Sequence, residues 1–121
     1  MSIYYQPKSY DCVLLGELGQ NLSYEFNMLI VVCHTPTQRL FWATDMGCSC
    51  PIPFENFHFT AMKIQDVIGV FEEGDYAINT DMTEITPLSF DSFEENAEKF
   101  PTDKQSIWDL IWKVKEHLKV A

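Results

Sequence analysis

Apolar positions recur with a period of two through the first half of the chain and with a helical period through its last third, so strands are expected to precede helices. The strongest strand signal runs from Tyr24 to His34. Tyr24, Phe26, Met28, Ile30 and Val32 alternate on one face, while the other face changes from Glu25 and Asn27 to Leu29, Val31 and Cys33. A strand that becomes apolar on both faces belongs at the centre of a sheet, covered on both sides. Thr35-Pro36-Thr37 then turns the chain, because proline presets φ, and Arg39 to Asp45 returns as the partner strand. A hairpin centred there sets Cys33 opposite Leu40 and brings Tyr24 and Glu25 to the level of Cys48. Upstream, Tyr10 to Gly16 is rich in strand formers, and Gly16, Gly19 and Asn21 mark a turn.

Further along, Phe57, Phe59 and Ala61 alternate with His58 and Thr60, and Ile64 to Phe71 is apolar enough for either a strand or a short helix, with a strand favoured by its β-branched and aromatic residues and by Gly69. Glu72-Glu73-Gly74-Asp75 reads as a turn. Tyr76 to Ile85 reads as an edge strand, with Asn79 to Met82 too polar for the core. The period then lengthens. Ser89 is placed to cap a helix with the stripe Phe90, Phe93, Ala97 and Phe100, and Leu88 to staple against Phe93; Pro101 ends it. Thr102 and Gln105 stand at capping-box spacing before a helix from Asp103 to about Lys119. Its core stripe is Ile107, Leu110, Ile111, Val114 and Leu118, with Asp109 and Lys113 set for an i,i+4 pair. The expected fold is α+β, an antiparallel sheet of about four to five strands with two C-terminal helices packed on it, in a single domain spanning 1–121.

Trp108 and Trp112 lie side by side on that last helix but off its stripe, beside Lys115 and Lys119. Burial over the sheet is the favoured expectation; the alternative is an exposed aromatic patch that serves a homodimer or a target protein. His117 is expected to be a solvated helix residue.

Charge changes the picture more than composition does. The chain of 121 residues carries 18 acids against 8 Lys and Arg, a net charge of −10. No Lys or Arg falls between Ile64 and Glu98, where Asp66, Glu72, Glu73, Asp75, Glu94, Glu95 and Glu98 are the candidate acidic binding face. Such a surface repels phosphate backbones and suits a protein partner with a basic surface, including one whose nucleic-acid site it occupies by mimicry. Direct nucleic-acid binding is therefore not expected. No apolar run approaches the ~20 residues of a membrane helix, and a cytoplasmic protein is the simplest reading.

The least generic stretch is residues 40–57, in which an aromatic strand bends at Gly47, presents Cys48 and Cys50, and stiffens through Pro51 and Pro53 into Phe54-Glu55. Trp42, Asp45, Gly47, Cys48, Cys50, Phe54 and Glu55 are its candidate functional residues. As a zinc or redox site it needs more ligands, and Cys33 and His34 sit at the far end of the hairpin. Cys12 is the better third ligand, since pairing of its strand with Tyr24 to His34 would bring it near Met28 and hence Asp45; His58 or Asp45 supplies a fourth. As a nucleophile, either motif cysteine faces the acids Asp45 and Glu55, only His58 offers a base within local reach, and no Gly-rich phosphate loop or nucleophile elbow accompanies it, so an enzyme is not expected. As a structural loop, Cys48 and Cys50 are small buried apolar groups, Phe54 is a core anchor, and Asp45 or Glu55 accepts backbone N–H groups.

The string Trp42-Ala43-Thr44-Asp45-Met46-Gly47-Cys48-Ser49-Cys50-Pro51-Ile52-Pro53-Phe54-Glu55, with Tyr24-Glu25-Phe26-Asn27 before it, resembles the shared motif of a family of small uncharacterised proteins of actinobacteria and their phages. Met46 departs from the small polar residue usual there. The resemblance implies a setting, a phage or phage-derived gene acting in a host cytoplasm, and carries no activity. Two expectations follow. The first is a non-enzymatic module that binds, and inhibits, a host protein through its acidic face; the second is a small zinc-binding or redox-active protein centred on Cys48 and Cys50.

Overall fold

The computed structural model of the protein describes residues 2–22, 25–48, 52–64, 66 and 75–119. Six strands and two C-terminal α-helices are present among them: β1 Cys12–Leu22, β2 Glu25–His34, β3 Arg39–Cys48, β4 Phe59–Lys63, β5 Tyr76–Thr80, β6 Thr83–Ile85, α1 Phe90–Glu98 and α2 Lys104–Leu118. A 3-10 turn at Pro7–Tyr10 precedes β1. Strands β1-β2-β3-β6 form one antiparallel sheet, and β4-β5 form a separate antiparallel pair. The fold is α+β.

The double-sided apolar pattern of β2 sets the layers. Every residue from Met28 to His34 is buried. Leu29, Val31 and Cys33 join Leu40, Phe93, Leu110 and Val114 under the two helices. Met28, Ile30 and Val32 face the other way, into a second core with Phe41, Phe54, Phe59 and Met82. Each fully buried side chain of this kind contributes about 1.5–3 kcal/mol, so covering both faces is favoured over leaving either wet. The β2–β3 hairpin has the expected register, with Cys33 opposite Leu40 and Glu25 opposite Cys48. At its turn, Gln38 adopts φ 58° and its N–H donates to the His34 carbonyl at 2.7 Å. His117, expected to be solvated, bonds the Gln38 carbonyl through Nε2 at 2.7 Å and ties α2 to this turn.

The first strand differs from its expectation. It begins at Cys12 and runs through the supposed turn residues to Leu22, pairing from Cys12–His34 to Leu22–Glu25 with an irregularity between Leu14 and Gly16. The glycines serve close approach rather than reversal. A Cβ on Gly16 would lie 2.6 Å from Leu110 Cδ1, and one on Gly19, at φ +93°, would lie 2.1 Å from the Asn27 carbonyl oxygen.

The edge strand expected over Tyr76 to Ile85 is instead two strands in different sheets, and Met82 between them is buried, not solvated. Asp81 makes that break, accepting the His58 N–H at 2.9 Å and donating its own N–H to the His58 carbonyl. The strand favoured over Ile64–Phe71 lies mostly outside the described residues, and the two described there, Ile64 and Asp66, are helical rather than extended; the turn at Glu72–Gly74 lies outside the described residues. Leu88 is 98% exposed and does not staple α1. Ser89 stands at the N-cap, but its hydroxyl accepts the Thr86 N–H and donates to the Glu84 carbonyl. For α2 the cap is Asp103 rather than Thr102, because a carboxylate accepts the Ser106 N–H more strongly than a hydroxyl does. That bond holds the Asp103 carboxyl below the usual range. Gln105 reaches forward to Asp109 at 2.9 Å, so the expected capping box does not form and Asp109 is engaged by Gln105 instead of Lys113. Between β3 and β6, Arg39 makes a two-point bond to Glu84 at 2.7 and 2.9 Å. No helix among the described residues is long and apolar enough to cross a membrane.

Gly19→Ala is expected to destabilise the protein by roughly 2–4 kcal/mol, since backbone strain adds to collision with a fixed carbonyl. Gly16→Ala meets only the tip of a flexible leucine and should cost about 1 kcal/mol. Urea unfolding of both variants checks the order. His34 is fully buried with Nε2 lacking a hydrogen-bond partner among the described residues, and burial, reinforced by Arg39, lowers its pKa below the ordinary 6.5 against the opposing pull of Asp11. The unfolded chain therefore takes up a proton first as pH falls. Stability contributed by neutral His34 is complete above pH 6.5 and lost progressively below it. Replacing it in His34→Phe should flatten that part of the stability–pH curve, measured by urea midpoints between pH 7.5 and 5.

Candidate functional site

The aromatic strand of the motif, β3, continues through Gly47 to Cys48 without a bend; Gly47 pairs with Phe26 in the ladder. What secures the following loop is Asp45. Its carboxylate accepts the Met46 N–H at 2.9 Å and, across the loop, the Phe54 N–H at 2.8 Å, which ties the Phe54 backbone to the end of β3. Phe54 is fully buried at φ 61°, its ring against Tyr4 and Phe57. The Ser2 hydroxyl bonds the Pro53 carbonyl beside it. The anchoring roles read for Phe54 and Asp45 are thus realised. Glu55 is exposed, and Trp42 is half-buried with its ring edge-on to Phe93 at 6.0 Å.

Cys48 is exposed rather than a buried apolar group, because β3 ends there beyond the cover of either core. Cys50 lies outside the described residues. Residues Gln20, Leu22, Glu25, Phe26, Asn27, Met46, Gly47 and Cys48 line an open hollow of about 470 Å³ at this end of the sheet.

The zinc grouping of Cys12, Cys48, Cys50 and His58 loses its third ligand. Because β1 extends to Leu22, Cys12 pairs with His34 and not with Met28, while Cys48 pairs with Glu25. Nine residues of β2 at about 3.3 Å each put them roughly 30 Å apart. Cys12 is buried, donates to the Tyr10 carbonyl, and has its thiol pushed up to about 12 by burial, with Cys33 and Asp11 adding to the effect. His58 is exposed and its Nε2 bonds Thr60 Oγ1 at 2.9 Å. Among the described residues no three His, Cys, Asp or Glu side chains converge as a metal site.

The acidic run does not fold into one face. Glu94, Glu95 and Glu98 lie on α1, in the helix layer. Asp66 lines a shallow hollow with Met62, Lys63 and Tyr76, and Asp75 directly precedes β5, so both belong to the opposite layer. Glu72 and Glu73 lie outside the described residues.

The feature that burial arguments miss is the tryptophan pair. Trp108 and Trp112 are 72% and 66% exposed, against the expectation that the sheet would bury them. Ile107, Leu110 and Val114, with the Phe90–Phe93–Ala97 stripe of α1, already cover that face of the sheet. The tryptophans instead wall a groove of about 490 Å³ between the helices, floored by Ile107 and Ile111 and flanked by Glu94, Glu98 and Lys115. Lys115 Nζ lies 3.8 Å from Glu94 and 5.7 Å from the Phe90 ring centre. The sequence signal was the displacement of both tryptophans from the apolar stripe.

Residues 1–103 match the family described as Domain of unknown function (DUF7574), so the match ends one residue before α2. No curated protein and no solved structure matches the chain.

The cysteine environments predict a graded reactivity. In a Cys50→Ser variant, Cys48 should react with an aromatic disulfide reagent at pH 8 within minutes, whereas Cys12 and Cys33, buried and with raised pKa, should react only on unfolding. Rapid release of more than one equivalent per chain would contradict the burial of the other two.

Proposed function

The chain belongs to the DUF7574 family, and we propose that it is a non-enzymatic protein-binding module whose partner docks on the α1–α2 face. The observation that carries this reading is the exposed pair Trp108 and Trp112 on a groove flanked by Glu94 and Glu98. Two large aromatic rings held in water on a rigid helix are costly to leave uncovered, and tryptophan is enriched where protein interfaces concentrate their binding energy. Net charge of −10 selects for a partner with a basic surface and against nucleic acid. The partner is a host protein, inhibited in the host cytoplasm, where the phage setting implied by the motif resemblance holds. The acidic half of the binding surface is narrower than the charge run suggested, reduced to the α1 acids Glu94, Glu95 and Glu98. The alternative of a zinc or redox centre is less favoured, since Cys12 and Cys48 stand at opposite ends of β2.

Quantitative affinity capture from host lysate compares the parent protein, Trp108→Ala/Trp112→Ala, and Met62→Ala on the opposite layer. Both tryptophans are exposed, so the double variant should fold. Proteins retained by the parent should fall at least tenfold on the double variant and be unchanged on Met62→Ala. Equal retention on all three, or no specific retention by the parent, would refute the reading.

A further inference from the structure

Resting on that reading, we propose that the groove between α1 and α2 takes an amphipathic segment of the partner protein, apolar along one side and carrying Lys or Arg at one end, seated with its cation at Glu98. The two ends of the groove differ in charge. At one end Glu94 already has Lys115 at 3.8 Å, and that ammonium also sits over the Phe90 ring. At the other end Glu98 is exposed and forms no ion pair among the described residues, while Glu95 beside it is held by Lys99 at 2.9 Å. A docking chain therefore meets one unmatched charge, and it is negative.

The rest of the groove selects for apolar groups. Ile107 and Ile111 form its floor, and the Trp108 and Trp112 rings form a wall about one helical turn long. Its volume of about 490 Å³ falls within the roughly 300–1,000 Å³ typical of ligand clefts. Apolar anchors spaced three or four residues apart on a helical segment match a groove between two helices. A second copy of this chain is a poor occupant, because each copy brings a net charge of −10 and α1 presents Asp91, Glu94, Glu95 and Glu98.

The test uses three synthetic 14-residue helical peptides, titrated against the intact protein by fluorescence anisotropy at 0.05 and 0.3 M salt. The first carries Leu at helical i, i+3 and i+7 positions with two Lys at one end; the second replaces Lys by Glu; the third replaces Leu by Ser. The first should bind at least tenfold tighter than either other peptide. Trp108→Ala/Trp112→Ala should abolish its binding although net charge is unchanged, and Glu98→Gln should weaken it several-fold and reduce its salt dependence. Binding that survives the tryptophan double variant would be diffuse charge attraction and would overturn the proposal. Equal binding of the Lys and Glu peptides would also overturn it, as would a tryptophan-dependent dimer of the free protein in light scattering. If no peptide binds while lysate capture remains tryptophan-dependent, the occupant is misassigned and the binding-module reading survives. If capture fails as well, both fall.

Discussion

A strand whose side chains are apolar on both faces cannot lie at a surface, and β2 imposes that constraint on the whole molecule. From Met28 to His34 it offers no polar side for water except the His34 ring, which is itself buried. The chain therefore supplies two covers of different kinds: helices α1 and α2 over Leu29, Val31 and Cys33, and the N-terminal segment with the β4–β5 pair and the Phe54 loop over Met28, Ile30 and Val32. Once β2 is fixed between β1 and β3, the position of nearly every other group follows from the register. His34, Cys12 and Cys33 sit at one end of the sheet, and the motif cysteine Cys48 at the other.

Layering also explains why a contiguous run of acids in the sequence fails to be a contiguous surface. The segment from Ile64 to Glu98 begins beside β4, crosses to the edge of β3 through β6, and ends in α1. Its described acids are accordingly distributed over both outer layers. Charge density along a chain measures a surface only where the chain stays on one side of the core. Here the acids that share a face with an apolar groove are those of α1, and that coincidence, rather than the total charge, gives the helix layer its chemical character.

The hairpin was legible because its determinants are local: alternation fixed the faces of β2, and Pro36 fixed the turn, so the pairing of Cys33 with Leu40 followed. Phe54 was legible too, as the aromatic anchor after two prolines, whereas the choice of Asp45 over Glu55 as the acceptor that holds the loop was left open by the sequence and is made by the fold. The extent of β1 was not. Gly16 and Gly19 carry the same sequence signature whether they reverse a chain or admit Leu110 and the Asn27 carbonyl at close range, and only tertiary contact separates the two. That single ambiguity displaced Cys12 along the whole sheet and created an apparent ligand set. The N-cap of α2 shifted for a related reason, because Thr102 and Asp103 are adjacent candidates for the same first-turn N–H groups and the stronger acceptor, the Asp103 carboxylate, takes the bond.

Helix α2 performs two tasks on two sides. Ile107, Leu110 and Val114 are buried against the sheet and α1, so the helix is part of the core although the family match stops at residue 103. Trp108 and Trp112 project from its other side, where no packing demand of the sheet requires them. A helix held only for stability would carry polar residues at those positions, as it does at Lys104, Gln105, Asp109 and Lys113. Their presence separates the reason the helix is there from the reason its outer face is aromatic. The groove is therefore composite, one wall drawn from α1 within the matched residues and one from α2 beyond them. Trp108 and Trp112 can accordingly change without disturbing the residues that cover β2.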